Sequence, residues 1–236
     1  MRNEGACHDI SNIWKQLDGI EANMLNFLEN HDEQRIASPF FAGKAEKGIP
    51  AMIVSATLNT GAVMIYNGQE FGEEAKGEQG FSGNDGRTTI FDYSAIPSVQ
   101  RWLTDDLKKG EKILQEFYSK LLNICRDEKA IKKGLFFDLE YVNFNNPRFN
   151  TLKQYAYLRK EGNELLLIVS NFNDSDASLE INIPQHAFDV FEISNNQKRK
   201  FVDLLSGKTG EQTLSSDIPF SLKVKKNNGV ILKFIL

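Results

Sequence analysis

The chain has 236 residues, 41% of them hydrophobic and 25% charged, an ordinary globular composition with room for one large domain or two smaller ones. A formal net charge of -4 offers no ground for expecting nucleic acid, whose binding leans on a basic patch, and no apolar run is long enough to span a bilayer. The two cysteines, Cys7 and Cys125, fit no metal or redox spacing and nothing calls for a disulfide between them, so no metal or cofactor is expected.

The opening residues, "MRNEGACHDI", lack the apolar core of a secretory leader. Residues 9–18, "DISNIWKQLD", set Ile10, Ile13, Trp14 and Leu17 at helical spacing, with Gly19 where a helix end wants it. "NMLNFLE" reads as a short buried strand. The stretch "EKGIPAMIVSATLNTG" reads as a helix opened by Pro50 and closed at Gly61, and "AVMIYNG" (62–68) as a second short strand. After a polar, Gly-rich loop from about 72 to 98 comes "GEKILQEFYSKLLNICRDE". Its residues Ile113, Leu114, Phe117, Tyr118, Leu121, Leu122 and Cys125 form one apolar helical stripe. Alternation of helix and strand implies parallel strands with crossover helices, but two strands cannot close a sheet, and an eightfold barrel takes about 250 residues. The first half therefore reads as a piece of something larger.

From about residue 132 the pattern changes. "GLFFDLEYV", "QYAYLRK", "ELLLIVSNF", "ASLEINI", "KRKFVDLLSG", "FSLKVK" and "GVILKFIL" read as short strands separated by turns such as "EGN" and "KNNG", which predicts an antiparallel sandwich. Lys223, Lys225 and Lys226 read as a solvated strand edge. The expected division is thus residues 1–131, an α/β part, and residues 132–236, an all-β part.

The chemistry concentrates in "NFLENHDEQR" (26–35), where an apolar run stops and Asn30, His31, Asp32, Glu33 and Arg35 follow at once. At the C-terminal end of a parallel strand such a cluster sits where α/β barrels carry their active sites. A carboxylate beside an imidazole and a guanidinium stays ionised, and could stabilise the positive charge that develops on a sugar during glycosidic cleavage. A solvated loop accounts for the residue types equally well.

Taken in order, "FLENHDEQR", "GAVMIYNGQEFGEE" and "NDGRTTIFDY" (84–93) resemble the C-terminal part of the alpha-amylase family of glycoside hydrolases. In that family an N-H-D motif closes the seventh barrel strand and a Y-x-G-x-E segment, matched by Tyr66, Gly68 and Glu70, follows the eighth. The resemblance implies a fold: the C-terminal portion of a (β/α)8 TIM barrel, about two strands and three helices, followed by an antiparallel Greek-key β-sandwich. It implies roles as well. Asp32 would be the carboxylate that orients substrate hydroxyls and stabilises the transition state, and His31 would hydrogen-bond the sugar. Asn30 would fix the loop, and Arg35 would contact substrate or Asp32. Tyr66, Asn67 and Glu70 would brace the loop, while Asp85 and Arg87 could contact sugar or form a structural ion pair. The implied substrate is an α-glucan: starch, maltooligosaccharide or pullulan.

A retaining glycosidase also needs a nucleophilic carboxylate and a separate acid, roughly 5 Å apart. The family motifs that supply them are absent from this sequence. Glu29, Asp32 and Glu33 cannot replace them if the strand reading holds, because neighbours on a strand point to opposite faces. The expectation is a C-terminal part of an amylase-like enzyme that is inactive alone, completed by the missing N-terminal barrel part or associating with itself through unpaired strand edges. Under that expectation the first residues say nothing of location, and cytoplasmic and secreted or periplasmic settings stay open.

Two rivals compete. His8-Asp9 and His31-Asp32 suggest a metal phosphohydrolase of the His-Asp type, although the third His, His186, lies in the β-rich half. A carbohydrate-binding module would rest on an aromatic platform drawn from Tyr141, Phe144, Phe149, Tyr155 and Tyr157, which also suit a sandwich core. A purely structural sandwich is the default.

Overall fold

A run of apolar residues without alternation implies a strand covered on both faces, and Leu165–Val169 forms the centre of such a strand. The computed structural model describes residues 4–76, 85–88 and 96–236. Most of the expected loop from 72 to 98, and residues 84 and 89–93 of "NDGRTTIFDY", lie outside the described residues. In chain order the helices of the first half are α1 (Asp9–Gln16), α2 (Ile49–Thr57), α3 (Pro97–Leu103), α4 (Lys109–Asp127) and α5 (Lys129–Lys133). Strand β1 (Leu135–Asp138) and helix α6 (Glu140–Asn143) lead into the hairpin β2 (Gln154–Glu161) and β3 (Glu164–Asn171). Then come β4 (Ala177–Ile181), α7 (Gln185–Val190), β5 (Gln197–Asp203), β6 (Thr209–Leu214), β7 (Phe220–Val224) and β8 (Asn228–Ile235).

Among the described residues, β1 to β8 pair only in antiparallel fashion. One sheet has the order β1-β2-β3-β8-β5-β6, and β4 pairs with β7 in a second. The register sorts residues by face with a period of two. Ala156, Leu158, Leu165, Leu167, Leu232 and Phe234 turn toward the small sheet, meeting Leu179, Ile181, Phe220 and Val224. Tyr155, Tyr157, Leu166, Ile168 and Ile231 turn the other way, onto Met52, Ile53 and Ala56 of α2, Leu121 and Ile124 of α4, and Ile131 of α5. The large sheet is thus the middle of three layers. The apolar core of the first half is shared with the strands of the second, and the boundary expected at 131/132 falls inside α5.

One buried cation ties these layers together. Arg159 on β2 is 2% exposed and faces α5 and the end of α2. Its Nε donates to the Ala130 carbonyl (3.0 Å), Nη1 to Leu58 (2.8 Å) and Nη2 to Ile131 (2.8 Å). Carbonyls at helix ends carry partial negative charge, which suits a guanidinium.

The strands expected in the first half shrink to one contact. Asn26 and Val63 form a parallel bridge, with Asn26 N–H donating to Ala62 O (2.8 Å) and Met64 N–H to Asn26 O (2.9 Å). "NMLNFLE" is not the buried strand expected: Met24, Leu25 and Phe27 are exposed, because among the described residues only 62–64 pairs with this segment. On α4 the buried stripe is Leu114, Tyr118, Leu121 and Ile124, while Ile113 and Leu122, placed in the stripe from sequence, lie on its exposed flanks. Helices α3, α5 and α7 and strand β6 were not anticipated. "GLFFDLEYV" gives only the short β1 before turning into α6, where the Asp138 carboxylate accepts the Glu140 amide (2.8 Å). The cysteines are free; Cys7 is buried and Cys125 half-buried, and burial pushes both thiols up to about 12.

Glu140 is a buried carboxyl without a cation. Its Oε1 accepts the Ala156 amide (3.1 Å), and Oε2 has no partner among the described residues. Burial, helped by nearby Asp138, pushes its pKa from 4.5 up to about 9. The folded state therefore holds this proton more tightly than the unfolded chain, and the contribution is fully present below pH 4.5 and lost as pH rises to about 9. Urea titrations across that window should show a downward stability slope that Glu140→Gln reduces. Arg159→Ala should lower unfolding stability by about 3 kcal/mol or more, since it empties a buried site and strands the Leu58 and Ile131 carbonyls, Ala130 O keeping the Gly134 amide.

Candidate functional site

The loop after Leu28 is built on a second buried arginine. Arg35 is 0% exposed, Glu29 2%, and Arg35 Nη1 meets Glu29 Oε2 at 2.9 Å. The other guanidinium nitrogens donate to Thr88 Oγ1 from Nε (2.8 Å) and to the Asn67 carbonyl from Nη2 (2.7 Å). The Tyr66 ring lies under the guanidinium, 4.3 Å from its centroid. Glu29 Oε1 accepts the Ile36 amide (2.8 Å). Burial raises the Glu29 carboxyl above its ordinary value, while Arg35 and the Ile36 amide pull the other way. One ion pair thus pins the ends of the 29–36 loop and joins it to 66–67 and 88.

The segment 85–88 lies on the same loop. Arg35 N–H donates to Gly86 O (2.7 Å) and Gln34 Nε2 to Asp85 O (2.9 Å). Gly86 has φ +79°, and a Cβ there would collide with the Ser38 side chain, so only glycine fits. Asp85 caps its own turn, accepting the Arg87 amide (3.0 Å), and pairs with the Arg87 guanidinium at 3.5 Å. "YNGQE" also bonds inward: Gln69 reaches the Tyr118 hydroxyl (3.0 Å), and Glu70 accepts the Gly68 amide (3.1 Å).

Above this base the loop turns outward. Asn30 Oδ1 accepts the amides of Asp32 and Glu33, both at 2.8 Å, a side-chain turn that stands in for a backbone one. His31 and Asp32 then face solvent, their side chains 43% and 70% exposed, with Nε2 and Oδ2 3.4 Å apart. Such a pair can donate to and accept from the hydroxyls of a ligand. Of the four residues singled out from sequence, the structure brings His31 and Asp32 together on a turn shaped by Asn30. It does not bring Arg35 to Asp32: that cation is spent on Glu29, Thr88 and Asn67.

Sequence reasoning had not assigned Glu29 its role. The available signal was an acidic residue closing an apolar run six positions before an arginine, since buried carboxylates are almost always paired. Nothing local pointed to Thr88 or the Asn67 carbonyl. Among the described residues no group of three His, Cys, Asp or Glu side chains is placed to hold a metal. No described helix is long and apolar enough to cross a membrane. Of the five aromatics offered as a platform, Phe149, Tyr155 and Tyr157 are buried, and Tyr141 and Phe144 are exposed.

The buried and exposed carboxylates should differ sharply on substitution. Glu29→Ala, which leaves Arg35 buried and unpaired, should cost about 3–5 kcal/mol in urea unfolding. Asp32→Asn should stay within about 0.5 kcal/mol of the parent.

The alpha-amylase family model, described as "Alpha amylase, catalytic domain", matches residues 6–136. Alpha-amylase 2 of Dictyoglomus thermophilum is 27% identical over 165 residues, 70% of this chain and 25% of that protein. The crystal structure of a maltogenic alpha-amylase, AmyB from Thermotoga neapolitana, aligns with a TM-score of 0.65 and 16% identity over 99% of this chain and 47% of its own. AmyP, solved in complex with maltose, aligns with a TM-score of 0.68 and 18% identity over 98% of this chain and 45% of its own. The chain spans a quarter of the Dictyoglomus relative and just under half of these two structures. With the catalytic-domain match covering more than half of its length, the chain belongs to the alpha-amylase family of glycoside hydrolases.

Proposed function

We propose that this chain supplies the substrate-orienting side of an α-glucan-cleaving active site. The observation that carries the reading is the exposed His31–Asp32 pair, held out by Asn30 above a buried Glu29–Arg35 base, in a chain of this family. Asp32 acts as the carboxylate that holds sugar hydroxyls and stabilises positive charge at the anomeric carbon, without being nucleophile or acid. His31 donates a hydrogen bond to the same sugar. Arg35 does not reach substrate; it is a positioning residue that acts through Glu29. AmyP was solved with maltose and with maltotriose, which favours short maltooligosaccharides as the ligand to try first.

In this reading residues 1–131 are the C-terminal portion of a (β/α)8 barrel and residues 132–236 an antiparallel β-sandwich that supports it through the shared core. The carboxylates that break the bond come from outside this sequence, so the chain alone does not hydrolyse glucans. The exposed Met24, Leu25 and Phe27 beside the Asn26–Val63 bridge form the edge on which further barrel strands would pair. In the isolated chain that edge is covered by a second copy, and sedimentation as a monomer would count against this.

The test is maltotriose titration of the chain followed by NMR, alongside an assay for released sugar. The expected result is no release, with shifts centred on the 30–33 amides that His31→Ala and Asp32→Asn abolish. Shifts that survive both substitutions, or none at all, would overturn the assignment of the pair. Sugar release that Asp32→Asn abolishes would overturn the claim of inactivity.

A further inference from the structure

Residues 198–236 carry eight Lys or Arg against three Asp or Glu, in a chain whose net charge is -4. Part of this excess is neutralised on the spot: Lys198 pairs with Glu211 (2.7 Å), and Lys233 with Glu128 (2.6 Å) and Glu164 (3.6 Å). Of the six that remain, Lys208, Lys223 and Lys225 line one concavity. A cleft of about 520 Å³ opens between α4 and the strands β7 and β8, closed at one side by the turn that joins β5 to β6. Its floor is apolar, made by half-buried Phe117, Leu205 and Val230, with exposed Ile113 beside them.

Around that floor stand Lys120 from α4, Lys208 from the β5–β6 turn, Lys223 from β7 and Lys225 just after it. Among the described residues none of these four has a carboxylate within ion-pair distance. The two carboxylates of the cleft, Asp203 and Glu116, offset the four lysines only in part. Asp203 is buried and occupied by the Ser206 hydroxyl and the amides of Leu205 (3.2 Å) and Ile231 (3.3 Å), which leaves exposed Glu116.

Four ammonium groups drawn from three segments around one concavity raise its potential and favour an anion. An apolar floor rewards hydrocarbon, and the volume is that of a small-molecule site. A neutral glucan would leave the lysines unused, and a bare inorganic anion would leave the floor unused. Nucleic acid is disfavoured by the overall charge, and a membrane surface by the concave form of the cleft.

We propose that this cleft is a binding site for a small organic anion with an apolar body, of which a medium-chain carboxylate or alkyl sulfate is the simplest case. The proposal is independent of the glycosidase reading, since the cleft shares no residue with the 29–38 loop and its test uses no glucan.

Calorimetric titration of the full chain tests it with octanoate, octyl sulfate, octyl glucoside and inorganic sulfate. The two amphiphilic anions should bind one to one, roughly tenfold or more tighter than the neutral glucoside or the bare sulfate. The double variant Lys120→Glu/Lys223→Glu, at two exposed positions, should weaken that binding roughly tenfold. Lys15→Glu/Lys132→Glu, the same charge change elsewhere, should alter it by no more than about twofold. Equal affinity for octyl glucoside or for inorganic sulfate, equal effects of the two double variants, or no binding of either amphiphile would overturn the proposal. Phosphatidylglycerol vesicles separate free amphiphile from bilayer lipid: binding to them at lower lipid concentration than free octyl sulfate requires would overturn it in favour of a membrane surface.

Discussion

The three-layer arrangement depends on a guanidinium buried without a carboxylate. Arg159 leaves water and is compensated by three main-chain carbonyls, two from α5 and one just past α2. The Leu58 and Ile131 carbonyls need donors as much as the cation needs acceptors, because they face the sheet rather than solvent. Burial lowers the arginine's hold on its proton, yet a guanidinium stays charged under any ordinary condition. The cation therefore fixes where α2 and α5 stop relative to β2, and with them the floor on which α4 packs. A hydrophobic residue of similar size would fill the space but leave the Leu58 and Ile131 carbonyls unmet.

The second buried arginine solves a different problem. Arg35 sits under a loop, where regular structure offers no ready set of carbonyls, and it takes a carboxylate, a hydroxyl and one carbonyl instead. A buried ion pair of this kind contributes little net stability relative to apolar packing, but breaking it is costly. That asymmetry suits a loop that must hold one shape: Glu29 and Arg35 anchor both ends, and the Asn30 turn between them leaves His31 and Asp32 in water. The exposed pair thus rests on a buried ion pair through a half-buried turn.

How far the sequence could be read follows from the range of the interactions involved. The β2–β3 hairpin, β7, β8 and α4 were legible because their signals are local: a two-residue turn at Gly162, runs of branched and aromatic residues, and a stripe at helical period. The first-half strands were overread. Their apolar runs are real, but a strand needs neighbours, and among the described residues each finds the other at only one bridge. Helix α7 was missed for the opposite reason, being too short for periodicity to register. In the site, His31 and Asp32 were visible through the motif that carries the family resemblance. The pairing of Arg35 with Glu29 rather than Asp32 was not, since both carboxylates lie within reach along the chain and only packing decides which one is buried.

By itself the sequence determined the elements with local codes, the family, and the loop where polar chemistry gathers. Periodicity, turn residues and short motifs act over a few positions and survive without knowledge of the rest of the chain. Tertiary structure alone decided that α2, α4 and α5 share a core with the sheet, that Arg159 and Arg35 are buried and by whom they are met, and that four lysines from three separate segments surround one cleft. These are contacts between residues up to about a hundred positions apart. Their partners are chosen by burial, where an unmet charge or carbonyl is too costly to tolerate.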